Sequence, residues 1–84
     1  MFGGVGLYAE GLFFALIDDD VLYLKVDDQT RPAFEALDSQ PFQPGGGPPM
    51  RGYWSAPTEV LDDPDLLAEW ARRAVGVAGR AKKR

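Results

Sequence analysis

Any chemistry in this chain falls to carboxylates, four aliphatic hydroxyls, three tyrosines and a basic end, because histidine and cysteine are absent. That removes the commonest general base and the thiol nucleophile. The serines and threonines are Thr30, Ser39, Ser55 and Thr58, each in a predicted turn or cap. Acids are plentiful, but no spacing separates a catalytic pair from a solvated face. No residue is assigned a catalytic role, and the chain is expected not to be an enzyme. Asp18-Asp19-Asp20 and Asp27-Asp28 have the ligand type for a hard cation. A calcium loop from Asp18 needs Gly at its sixth position and Glu at its twelfth, where Tyr23 and Gln29 stand. Turns are the better account, and no metal is expected. Gly4-x-Gly6-x-x-Ala9 matches the dinucleotide fingerprint as a string. That fingerprint needs a strand before it and a helix after it, whereas a hairpin turn follows here, so no cofactor is expected.

Two groups of residues remain as candidates for recognition. Arg72, Arg73, Arg80, Lys82, Lys83 and Arg84 form a basic end without a single acid. They are candidate nucleic-acid contacts, with Tyr53 or Trp54 as stacking rings. The simpler account is that cations near a helix C-terminus complement its dipole and keep the tail solvated. Residues 1–71 hold all thirteen acids against Lys25, Arg31 and Arg51, and an acidic body opposes broad contact with phosphates. The second group is aromatic: Phe2, Tyr8, Phe14, Tyr53 and Trp54 are candidates for a protein-interaction surface. A homodimer or a contact with another protein is expected ahead of nucleic acid. No small-molecule substrate is identified.

The elements that must position these residues begin with Val5–Ala9, Leu12–Ile17 and Val21–Val26, rich in β-branched and aromatic residues. Glu10-Gly11 and Asp18-Asp19-Asp20 separate them, breaks too short for anything but antiparallel neighbours. A three-stranded meander follows. Leu12 to Ile17 is apolar throughout, as expected of a strand covered on both faces. Val21, Tyr23 and Lys25 share one face of the third strand, and Leu22, Leu24 and Val26 the other, better suited to a core. Thr30 and Pro32 open a predicted two-turn helix with Ala33, Phe34 and Leu37 on one side. Pro41–Pro44 and Met50–Ala56 read as a short edge strand and a fifth strand, joined by a glycine- and proline-rich loop. Pro57–Leu61 is predicted to make one helical turn. Asp63 and Pro64 open a longer helix whose stripe is Leu66, Leu67, Trp70, Ala71, Ala74 and Val75.

The expected class is α+β in two layers: an antiparallel sheet of about five strands, a meander plus a hairpin, with helices on one face. Eighty-four residues with 45% hydrophobic content make one small domain, placed at 1–79, with 80–84 expected to be a disordered basic tail. No apolar run reaches the length of a membrane span, no signal peptide is recognised, and a cytoplasmic protein is expected.

The strings MFGGVGLY (1–8), FFALIDDDVLYLKVDDQTRPAFEA (13–36) and PFQPGGGPPMRGYWSAPTEVLDDPDLLAEWARRA (41–74) resemble the N-terminal domain of the TfoX family, named for regulation of bacterial natural competence. The resemblance covers nearly the whole chain. It implies a two-layer α+β fold with an antiparallel sheet; with the poor catalytic inventory, the expected function is a small non-catalytic regulatory or protein-interaction module in regulation of gene expression or competence. Members of the family usually carry a helix ahead of the Met-Phe-Gly-Gly string. Where the sheet face under such a helix is exposed, dimerisation or strand exchange is expected.

Overall fold

Two turns of two residues fold the first part of the chain onto itself. The computed structural model describes residues 5–37, 39–43 and 47–82, and only the backbone of Arg51 and Lys82. Phe2, the Gly3-Gly4 entry, Asp38, residues 44–46, Lys83 and Arg84 lie outside the described residues. Strands β1 (Val5–Ala9), β2 (Leu12–Asp18) and β3 (Val21–Lys25) form the antiparallel meander. Glu10 and Gly11 have φ of 52° and 78°, and Asp19 and Asp20 have 53° and 64°. Positive φ at both central residues matches the right-handed twist of flanking strands, which is why such turns close hairpins. Three of these four residues carry a Cβ and sit where glycine is most at ease. The second break is one residue shorter than its three aspartates suggest, because Asp18 ends β2 opposite Val21.

The sheet has five strands in the order β1-β2-β3-β5-β4. Strand β5 (Met50–Ser55) inserts between β3 and the two-residue β4 (Pro41–Phe42), antiparallel to both. Backbone bonds from Val26 N–H to the Gly52 carbonyl and from Ala56 N–H to the Leu22 carbonyl, both 2.8 Å, extend the β3–β5 pairing at either end.

Helices α1 (Arg31–Glu35), α2 (Thr58–Leu61) and α3 (Pro64–Lys82) lie on one face. Side chains alternate across strands, so the core takes Ala15 from β2, Leu24 from β3 and Trp54 from β5. Phe34, Val60, Trp70 and Ala74 close it from the helices, with the Phe34 and Trp70 rings 4.7 Å apart, edge to face. Asp63 caps α3 as expected, its Oδ1 accepting the N–H groups of Asp65 and Leu66 at 3.1 and 3.3 Å. Thr30 does not cap α1. Its hydroxyl accepts the Asp27 N–H, while Asp27 Oδ1 accepts the N–H groups of Gln29 and Thr30, so the turn before the helix is built by Asp27.

Helix α3 departs from expectation at its end. Its buried residues are Trp70, Ala74, Val77 and Ala78, with Ala71 and Val75 only half-buried. Burial of Val77 and Ala78 carries the helix past Gly76 and Gly79 to Lys82, through residues expected to fray, while Lys83 and Arg84 of the expected tail lie outside the described residues. Tertiary packing outweighs the roughly 1 kcal/mol by which each glycine disfavours a helix.

Candidate interaction surface

The strand register sorts the aromatic residues between the two faces. Leu7, Ala15, Leu24 and Trp54 are paired across the sheet and face the helices. Gly6, Leu16 and Tyr23 form the adjacent row, facing away from them, as does the Lys25–Tyr53 pair. Between Leu7 and Tyr8 the β1–β2 register slips by one residue, since Leu7 meets Ala15 but Tyr8 meets Phe13. Phe14 is the extra residue of a β-bulge. The bulge sends Phe13 to the helix-free face and lets Phe14 pack against the helix-side core.

A strip of rings crosses the helix-free face. Tyr8 stacks on Phe13 with centroids 5.1 Å apart and planes 26° apart. Phe13 lies 5.7 Å from Tyr53, and Lys25 Nζ sits 4.8 Å from the Tyr53 centroid, a cation–π distance. Beside the strip is a second, smaller core. Leu16 and Phe42 are only 2% and 1% exposed although neither belongs to the helix-side cluster, and Tyr23 meets Phe42 edge to face at 4.8 Å. Burial, with the Asp18 and Asp19 charges adding to it, pushes the Tyr23 phenol above its usual range, so it stays neutral. Strand β2 is thus covered on both faces at Ala15 and Leu16, as its continuous apolar run implied.

Of the aromatic candidates, Tyr8 and Tyr53 stand on this surface. Trp54 and Phe14 do not, and both are corrections. Tyr53 and Trp54 are neighbours on one strand, so one had to enter the core, and the larger ring fills it. Phe14 is displaced by a bulge that carries no glycine or proline to announce it. Phe2 lies outside the described residues. Phe13, Tyr23 and Lys25 join the surface unselected, although the shared face of Tyr23 and Lys25 was legible from alternation.

The basic candidates do not form one free cluster. Arg73 donates to Glu69 Oε2 at 2.7 Å and lies 5.8 Å from the Trp70 ring. Arg80 donates to Asp27 Oδ2 at 2.7 Å, tying the end of α3 to the turn before α1. This bond from Arg80, joined by backbone bonds from Thr30 and Gln29, holds the Asp27 carboxyl below its usual range against the opposing effect of burial. Arg72 is exposed and has no carboxylate partner among the described residues. Lys82 lies on the last turn of the helix, and Lys83 and Arg84 lie outside the described residues.

A cleft of about 540 Å³ between the end of β3 and α3 is lined by Lys25, Asp27, Gln29, Val77 and Arg80. Its two charged ends are already joined by the Asp27–Arg80 pair. Among the described residues no three carboxylates gather where they could hold a metal ion, and no helix is long and apolar enough to cross a membrane.

The model of the TfoX N-terminal domain family matches residues 1–78. No curated protein matches the chain.

Proposed function

The chain belongs to the TfoX N-terminal domain family, and from that premise we propose that it is a small, non-catalytic regulatory module that acts by contact between proteins. It self-associates through its sheet, works in the cytoplasm, and serves regulation of gene expression, competence in particular, by way of a protein partner. The observation that supports this reading best is the strip Tyr8–Phe13–Tyr53 with Lys25, on the face that carries no helix among the described residues. Tyrosines that offer an apolar ring and a polar tip are typical of contact surfaces, and Tyr8 is 67% exposed.

The competing reading is nucleic-acid binding by the basic end of α3. Two of its arginines, Arg73 and Arg80, are held by Glu69 and Asp27, so contact with a phosphate would have to displace a carboxylate. One experiment separates the two: solution mass by light scattering across a concentration series, with and without a generic DNA duplex. A dimer indifferent to DNA is the expected result. A monomer that gains mass only with DNA, and only at low salt, would replace this reading with the other.

A further inference from the structure

The two edges of the sheet are unlike. Strand β4 offers two residues, and Pro41 has no N–H to give. Strand β1 offers Val5, Gly6, Leu7, Tyr8 and Ala9, with no charge and no proline, and Val5 and Tyr8 are 59% and 67% exposed. A plain edge of this kind is a template for another strand.

Which backbone groups point outward follows from the register. A two-residue turn makes the residues flanking it a hydrogen-bonded pair, here Asp18 and Val21. Such pairs alternate along antiparallel strands. The amides of Ala15 and Ile17 therefore turn toward β1, where they meet Leu7 and Val5. Among the described residues no segment pairs with the outer side of β1, and Gly6 and Tyr8 present their N–H and C=O there.

We infer that two copies of this chain join antiparallel along β1, about a two-fold axis through Leu7, into one sheet of double width; this rests on the self-association proposed above. In that register Gly6 meets the partner's Tyr8 and Tyr8 the partner's Gly6, and each pair exchanges two backbone hydrogen bonds. All four outward-facing groups of Gly6 and Tyr8 are satisfied. The side-chain match is equally direct. Gly6 is covered by its own chain, since a Cβ there would stand 3.3 Å from the Phe13 ring and 3.5 Å from the Tyr8 ring, and with no side chain of its own it puts nothing in the way of the partner's Tyr8. The strand is uncharged although the chain carries −4, so two copies approach along β1 without like charges facing each other. The axis stands perpendicular to the sheet, so both helix-free faces point the same way and the two aromatic strips become one. Pairing β1 with the partner's β4 would instead leave an open-ended series of copies joined by two residues each.

The register is testable because the chain has no cysteine of its own. Val5 and the partner's Ala9 fall in a non-hydrogen-bonded pair, with Cβ atoms about 4.5–5.5 Å apart and close enough for a disulfide to form with a small shift. Val5→Cys and Ala9→Cys are prepared separately, and circular dichroism confirms that each is folded. Mixed under oxidising conditions they should give a covalent dimer that neither variant gives alone. Val5→Lys, at an exposed position, should weaken the dimer measured by light scattering about tenfold or more, while Tyr53→Ser should leave it within a few-fold. A dimer by mass that gives no mixed cross-link, and that dissociates with Tyr53→Ser but not with Val5→Lys, overturns the β1 pairing and leaves self-association through the face. A monomer at every concentration overturns both.

Discussion

At the level of single residues, the left-handed turn positions and the Asp27–Arg80 pair make the clearest claims. Asp20 holds φ of 64° with a Cβ in place. Asp20→Gly relieves that conformation and should raise stability by about 0.5–1 kcal/mol in urea unfolding, the gain limited by glycine's freedom in the unfolded chain. Asp27 has a folded-state pKa lowered first by the bond from Arg80. A lowered carboxylate stabilises the fold at pH above its unfolded value, 3.8, and the benefit is lost as pH falls through the folded value. Stability should therefore drop on acidification below about pH 4, and Arg80→Gln should make that drop shallower. Urea titrations at a series of pH values read both. Since Arg80 is half exposed, added salt should shrink the difference between the two proteins.

At the level of elements, the glycines of α3 give a second test. A Cβ at Gly76 would lie 3.7 Å from Arg80 Nη1, and one at Gly79 would lie 3.6 Å from Leu12 Cδ1, both ordinary contacts. Gly76→Ala and Gly79→Ala should each stabilise the protein by about 0.5–1 kcal/mol. A loss at Gly79 would mean that α3 sits closer to β2 than these distances allow. The meander, the hairpin, the Asp63 cap and the α+β class were legible in the sequence, because turn chemistry and side-chain alternation are local. What escaped was non-local. Whether Tyr53 or Trp54 enters the core depends on which side of β5 the helices take. Phe14 turns inward only because its strand slips against β1. Val77 and Ala78 extend α3 only because a sheet lies beneath them. Asp27 displaces Thr30 as the organiser of the turn before α1, a competition between neighbouring side chains that residue types alone leave even.

At the level of the whole molecule, one small core has to hold everything. Trp70 is 6% exposed and packs on Phe34, so Trp70→Ala should cost about 3–5 kcal/mol. Against the roughly 5–15 kcal/mol typical of folded domains, that is enough to leave a population unfolded, read as a fall in melting temperature by circular dichroism. The strand order has a further consequence, for the route by which the chain folds. Strands β1 to β3 zip through two-residue turns, contacts that close within microseconds. Strand β5 has to find β3 across the segment that holds α1 and β4, a pairing that bears the entropy of a much longer loop. Mutations in the Asp19-Asp20 turn should then change the rate of folding little if docking of β5 limits it, while mutations where Leu24 meets Trp54 should slow it. The step that admits β5 is also the step that completes the helix-side core, so until it occurs Leu24 lacks Trp54 beside it and the outer side of β3 stands unpaired.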